Sequence, residues 1–416
     1  VNLIGENYPT GISILDSAEN IENLLTNTDD IAGYSARDLI SSINSTSDSG
    51  IVNLTWQEYL SAISGASFNE NDQNTWQDIS ESNAFSNLGN VEFVVNGSAS
   101  DIQSIISNYA DQLADFPSGI TFSVSGGGEI SLSSTQLNTL YAAGDCCNFD
   151  GDNLTIKVIG STSVLVLNNL DSKTTDAQIS ATVSENDFGT LSSLTGTNNA
   201  YNFEVIPAAT VEQLNILDSK TVGVITSEVD DVDVATLKTL SGTNNSYDIL
   251  IREEEVTATD LNEIASKTID IVTADVSKII GEIVDINTAY GSQIIGGLGS
   301  ESIEITDTTI NASTLILLDS ANSGTIDASS VTTITGSISD INTIHTSNGI
   351  TGLGDAGITL IDTSITSIAL NTLDIAMGGT INASSVVTIT GSSSDINTAF
   401  TSNGITGLDN TAVTLT

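Results

Sequence analysis

The chain has 416 residues with 39% hydrophobic and only 5% aromatic side chains, and it carries eight Lys and Arg against 53 Asp and Glu, a formal charge of −45. That balance excludes a nucleic-acid partner, which needs clustered cations to neutralise phosphates, and no run of about twenty apolar residues is present to span a membrane. After Lys278 no Lys or Arg follows, so that stretch must be neutralised by solvent cations.

Residues 1–90 read as an N-terminal cap or docking module, partly helical. In SILDSAENIENLL the residues Ile14, Leu15, Ile21, Leu24 and Leu25 fall on one side of a helix, with Ser17 as its cap. Both tryptophans lie here, Trp56 and Trp76, and anchor a small core. Residues 91–160 form transitional strand–helix coils. VEFVVN reads as strand, ASDIQSIISNYADQLADF as an amphipathic helix, ITFSVS as strand, STQLNTLYAAG as helix and NLTIKVIG as strand. The adjacent Cys146 and Cys147 offer a vicinal disulfide, two free thiols or intermolecular bonds.

Residues 161–255 repeat with a period of 47: LDSK at Leu170–Lys173 returns at Leu217–Lys220, and LTGTNNAY at Leu194–Tyr201 returns as LSGTNNSY. Lys267 extends the lysine column. Each unit reads as helix (VEQLNILDS), strand, helix (DVATLKTLSG) and strand (SYDILIRE), which is two coils of the size found in leucine-rich repeats.

Residues 256–416 repeat with a period of 55. Gly324–Leu353 recurs at Gly379–Leu408 with five differences: Asp327/Asn382, Thr332/Val387, Ile338/Ser393, Ile344/Ala399 and His345/Phe400. Here helices are expected at TLILLDS and SDINTIHTS, and extended segments at IDASSV, TTITGS and GITLID, with Ser or Asp before each helix as N-cap and Gly after it as C-cap. Val413–Thr416 aligns with Ile358–Ile361, so the repeat breaks in mid-unit and an open sheet edge is expected there. The fold class is a repeat solenoid of parallel strands alternating with short helices, like a leucine-rich-repeat α/β solenoid. The alternative is a parallel β-helix without true helices.

Candidate chemistry is sparse. The one histidine, His345, shares its repeat column with Tyr290 and Phe400, which marks a packing slot for a ring and leaves no Ser-His-Asp or Cys-His arrangement. The chain is therefore expected not to be an enzyme, although paired carboxylates on a polysaccharide-degrading β-solenoid stand as an alternative. Oxygen-only ligands point to calcium. The candidates are Asn148, Asp150 and Asp152 in NFDGDN, Glu185 and Asp187 in SENDFG, and Glu228, Asp230, Asp231 and Asp233 in EVDDVDV. The first set resembles the start of an EF-hand loop, but Ile159 stands where the twelfth-position acid belongs. Each set serves equally as favourable charge at a helix N-terminus. VTTITG and VVTITG space threonines as flat hydroxyl arrays of ice-binding β-solenoids do, without strict T-x-T spacing on every coil.

The motifs GTIDASSVTTITGS, SDINTIHTS, GITGLGDAGITLIDT and LTGTNNAYNFEV resemble repeats of very large secreted surface proteins of cyanobacteria and other marine bacteria. The resemblance covers roughly residues 160–416. It implies a secreted, extracellular, calcium-associated repeat protein at the cell surface, in a filament, surface layer or adhesin. Its implied partners are copies of itself, in a head-to-tail or lateral homo-polymer, and cell-surface glycans. A monomeric adhesin stalk is the second reading.

Overall fold

The structure, a computed structural model, describes residues 12–16, 20, 40–45, 50–55, 91–114, 120–142 and 147–416. Two compact units are present: residues 1–205 with 216–225, and residues 206–215 with 226–416.

In the first unit, β1 (Ile12–Asp16) pairs in parallel with β2 (Ile40–Ser45). ISILD is thus a strand, not the start of the expected helix, because Ile12 and Ile14 alternate with polar Ser13 and β-branched residues favour the extended backbone. Asn20 of that expected helix is helical and exposed; its other residues beyond Asp16, and both tryptophans, lie outside the described residues. A larger parallel sheet follows, with strands β3 (Gly50–Thr55), β4 (Val91–Gly97), β5 (Ile120–Val124), β7 (Cys147–Thr162), β8 (Thr174–Val183) and β9 (Ala200–Ala209) in that spatial order; β6 (Gly128–Ser133) also pairs with β7. Helices α1 (Ala99–Ala114), α2 (Ser134–Ala142), α3 (Val164–Ser172) and α4 (Phe188–Leu191) intervene in sequence. The expected elements at 91–160 fall where the periodicity places them. Cys147 is disulfide-bonded, which removes the free-thiol option; Cys146 is the sole other cysteine of the chain and lies outside the described residues.

The second unit carries helices α5 (Val211–Asp218), α6 (Val234–Leu237), α7 (Ala258–Ala265), α8 (Ile283–Gly291), α9 (Ala312–Ala321), α10 (Ile338–Thr346), α11 (Ser367–Ala376) and α12 (Ser393–Thr401), the first of which starts there and ends in the other unit. Its strands are β10 (Ile225–Val229), β11 (Ser246–Thr257), β12 (Val272–Gly281), β13 (Ile295–Gly296), β14 (Ser302–Ile305), β15 (Thr309–Asn311), β16 (Ile326–Asp327) and β17 (Thr333–Gly336). They continue with β18 (Ile350–Thr351), β19 (Gly357–Leu360), β20 (Ser364–Thr366), β21 (Ile381–Asn382), β22 (Thr388–Gly391), β23 (Ile405–Thr406) and β24 (Ala412–Leu415). The parallel rows run β10-β11-β12-β14-β16-β18, β15-β17-β19-β21-β23 and β20-β22-β24, with β13 beside β12. Large parallel sheets whose strands alternate with short helices are compatible with an α/β solenoid. The helices are genuine, unlike those of a β-helix.

Register explains the period of 55. Ile303 pairs with Ile326 and Ile326 with Ile350; Ile334 pairs with Ile358, Ile358 with Ile381 and Ile381 with Ile405. Each coil thus advances by 23 or 24 residues, and two coils leave seven or eight residues over from 55. The surplus is spent on an added stretch of strand, so β19 closes the row begun by β15 and also opens the row of β21 and β23. The stack steps sideways once per repeat. The longer helices turn residues at i, i+3 and i+6 inward, as with Ile338, Ile341 and Ile344 in α10 and Ala312, Leu315 and Leu318 in α9, whereas the four-residue α4 and α6 are too short for the pattern and α12 buries only Ile396 and Ala399. The inward residues meet strand residues such as Ile334 and Ile358, both nearly or fully buried. Burial of each Leu or Ile contributes about 1.5–3 kcal/mol.

Helix α11 is polar at its first inward position. Ser367, the first residue of α11, is 0% exposed and its hydroxyl has no hydrogen-bond partner, whereas the residue one repeat earlier is Ala312. Ser367→Ala is expected to raise stability by about 1 kcal/mol, the cost of an unpartnered buried hydroxyl. Chemical denaturation of the two proteins, compared at equal slope, measures it.

Candidate functional site

The candidate carboxylates sit at helix N-termini and on outward strand faces. A helix leaves its first backbone N–H groups unbonded, and this chain satisfies them twice over. The local partner is the N-cap: Ser163 Oγ accepts from Val166 N–H, Asp187 Oδ1 from Thr190 N–H at 2.9 Å, Asp233 Oδ1 from Thr236 N–H at 2.9 Å, and Ser337 Oγ from Asp340 N–H at 3.1 Å. At α5 the pair is reciprocal, since Thr210 Oγ1 accepts from Gln213 N–H while Gln213 Oε1 accepts from Thr210 N–H.

The second partner comes from the following coil. The N–H of Val164, first residue of α3, donates to Glu185 Oε2 at 3.1 Å, and Val211 N–H of α5 donates to Asp231 Oδ2 at 2.7 Å. The same bond joins Val234 to Glu253 Oε1 (2.7 Å), Ile283 to Asp307 Oδ2 (2.7 Å) and Ile338 to Asp362 Oδ2 (2.8 Å). Five helices in the two units thus start on an acid that follows them by 19 to 24 residues. A carboxylate here satisfies a donor and opposes the positive end of the helix dipole. It also ties each of these five coils to the next.

Glu185 and Asp231 are therefore coil-linking acceptors, and Asp187 and Asp233 are caps. Glu228 and Asp230 are exposed, Glu228 facing Asp248 across β10 and β11 in register. Asn148, Asp150 and Asp152 are not on a loop. They lie at alternate positions of β7, where Asn148 Nδ2 donates to Thr121 Oγ1 at 3.4 Å and a register irregularity follows Asp150. Among the described residues no three His, Cys, Asp or Glu side chains converge to hold a metal. The nine candidates supply eight carboxylates and the Asn148 amide, and Glu185, Asp187, Asp231 and Asp233 each have one oxygen committed to a helix N–H.

Sequence reasoning reads the run Glu253–Glu255 only as a solvated or groove-lining face, and connects none of Glu253, Asp307 and Asp362 with a helix start. A signal existed for two of them: Asp307 in ITDT and Asp362 in LIDT stand one repeat apart, just past an inward strand. The ring slot is also corrected. His345 is exposed, Phe400 is 43% exposed, and Tyr290 is half-buried with its hydroxyl donating to the buried Glu301 carboxylate. The column holds the outer flank of a helix, where a ring is tolerated rather than packed. Burial and the Glu301 carboxylate hold the Tyr290 hydroxyl well above the ordinary tyrosine range.

The cation-bearing side chains are also linkers between coils. Lys278 Nζ lies 3.0 Å from Glu255 Oε2 and 2.8 Å from Glu304 Oε2, and Lys238 Nζ lies 2.5 Å from Asp260 Oδ1 and 3.3 Å from Glu263 Oε2. Hydrogen bonds to these carboxylates raise both lysines above their usual pKa.

The backbone and side-chain donors of Thr190 and Thr236 hold Asp187 and Asp233 below the usual carboxylate pKa. A depressed folded-state pKa contributes stability above the unfolded value, about 3.9 for Asp, and that contribution is lost as pH falls through the folded value. The unfolding midpoint is therefore expected to drop on acidification below about pH 4. The double variant D187N/D233N should show a shallower drop between pH 5 and pH 3, as read by thermal unfolding followed by circular dichroism.

Comparison with protein-family models, with curated proteins and with solved structures finds no match.

Proposed function

We propose that the chain is a non-enzymatic, secreted structural protein, a leucine-rich-repeat-like α/β solenoid that assembles with copies of itself into a cell-surface filament or layer. The observation that carries this reading is that the sequence repeat is also a repeat of contacts between coils. Ser347 Oγ donates to Asp319 Oδ2 at 2.8 Å and accepts from Gly349 N–H at 3.1 Å; one repeat later Ser402 Oγ donates to Asp374 Oδ2 at 2.6 Å and accepts from Gly404 N–H at 3.0 Å. Thr351 Oγ1 bonds the Ile326 carbonyl as Thr406 Oγ1 bonds that of Ile381. An interface that reproduces itself coil by coil is suited to extension.

Calcium enters this reading as a bridge between acidic surfaces of neighbouring copies. Exposed carboxylates such as Asp152, Glu228 and Asp230 are free to share a cation at the millimolar levels that extracellular calcium sites use. The net charge of −45 makes such neutralisation a condition of close association. Sedimentation velocity of the full chain, over rising concentration and in millimolar calcium or chelator, tests the proposal. Larger species that disappear on chelation are expected. A monomer under both conditions would overturn self-assembly and favour a stalk.

A further inference from the structure

The outward faces of the second unit differ sharply between rows of strands. On β11, β12, β14 and β16 they are charged: Arg252 pairs with Asp275, Lys278 bridges Glu255 and Glu304, and Glu304 faces Asp327. From β15 onward the outward positions become neutral hydroxyls and amides. Register places Asn311, Thr335, Thr359, Asn382 and Thr406 side by side across five adjacent strands. A second row, Thr309 and Thr333, lies two residues away along the same strands. On β20, β22 and β24 the pattern recurs, with Thr366, Thr390 and Thr414 in one row and Ser364 beside Thr388 in the other.

All of these side chains are exposed or half-buried, and the residues between them, Ile310, Ile334, Ile358, Ile381 and Ile405, face inward and are buried. The result is a two-dimensional array whose pitch is set by backbone, not by flexible side chains. Neighbouring strands lie ~4.8 Å apart and alternate residues of a strand ~6.7 Å apart. In a tetrahedral water network with O···O ~2.8 Å, second-neighbour oxygens stand ~4.6 Å apart. Hydroxyls on adjacent strands, Thr335 beside Thr359 and Thr366 beside Thr390 and Thr414, therefore stand close to that separation, and a hydroxyl not already committed to backbone can both donate and accept. Two of the rotors are already pinned: Thr406 Oγ1 donates to the Ile381 carbonyl at 3.1 Å and Thr390 Oγ1 to that of Ile365 at 3.4 Å.

We propose that the neutral face of the β15-β17-β19-β21-β23 row, centred on Thr335 and Thr359, binds ice. Rows without charge disturb the water lattice least. They also lack what a sugar polymer would call on, since no aromatic ring and no carboxylate stands among them. The threonine spacing noted in VTTITG and VVTITG thereby gains a use that an assembling repeat does not require. The proposal stands independently of self-assembly.

Ice-recrystallisation inhibition by the full chain tests it, with a serum albumin as the inert reference. Three proteins are compared: the parent, T335K/T359K on the face, and S339K on the exposed surface of α10, each first shown by circular dichroism to keep its fold. The parent and S339K are expected to inhibit grain growth, and T335K/T359K to need at least about tenfold more protein, equivalent to ~1.4 kcal/mol. A parent no better than albumin would overturn the proposal. So would equal activity in T335K/T359K, and so would retention on insoluble cellulose without activity on ice, which would reassign the face to a neutral glycan.

Discussion

Gly379→Ala is expected to destabilise the protein by about 3 kcal/mol. A Cβ at this position would fall far inside van der Waals contact with the Ala356 carbonyl oxygen, with the Ala356 carbonyl carbon and the Gly357 nitrogen close behind. All three obstacles are backbone, so no side chain can swing aside. The carbonyl belongs to the turn preceding β19, and Gly379 precedes β21, so two adjacent coils would be pushed apart where Ile358 and Ile381 pair. Gly324 meets the Glu301 carbonyl in the same way one repeat earlier. The matched control is Gly354→Ala, whose Cβ would enter open space and which should change stability by no more than about 0.5 kcal/mol. Urea unfolding of the three proteins reads the difference.

Leu370→Ala carries the second large effect. Leu370 is 0% exposed, the central inward residue of α11, and its truncation removes apolar burial and leaves a cavity, a loss of 2–5 kcal/mol by analogy with other buried leucines (about 3 kcal/mol as a central value). In a stack where each coil contacts only its neighbours, the damage should be local. Amide exchange is expected to accelerate in β21, β22, β24 and α12 while β11 and β12 keep their protection. Leu165→Ala, at a residue 79% exposed on α3, should leave stability within about 0.5 kcal/mol. Uniform acceleration across the second unit would show instead that its coils unfold as one.

The parts of the fold that were legible in sequence are those governed by neighbours in sequence. The helices of the 55-residue repeat could be placed because their inward residues fall at short periodic spacing and Ser337 or Ser392 caps them from one residue away. The sideways step was hidden, because a period of 55 reads as one long unit until register shows two coils of 23 or 24 residues with a surplus. ISILD was misread because four or five apolar-rich residues satisfy a helical and an extended pattern equally well; pairing with β2 decides between them. His345 was assigned to a packed slot from its column, yet equivalent positions can share exposure as readily as burial.

The acids of the candidate site were visible and their role was not. Asp187 and Asp233 are local caps and could be recognised as such beside the calcium reading. Asp231 and Glu185 act on helices that begin 20 and 21 residues earlier, a distance at which no local rule operates. Asp362 makes the same bond to Ile338 and was overlooked because its helix lies a full coil away. The hydroxyl rows are a similar case. Thr335, Thr359, Asn382 and Thr406 are far apart in sequence and become successive neighbours only when parallel strands are laid in register.

The central claim is that these self-copying coils belong to a structural polymer bridged by cations. Negative-stain electron microscopy of the purified full chain, first in millimolar calcium and then after chelation, tests it most directly. Ordered fibres or sheets that form with calcium and dissolve in chelator are the predicted result; isolated particles, the same in both conditions, would contradict it.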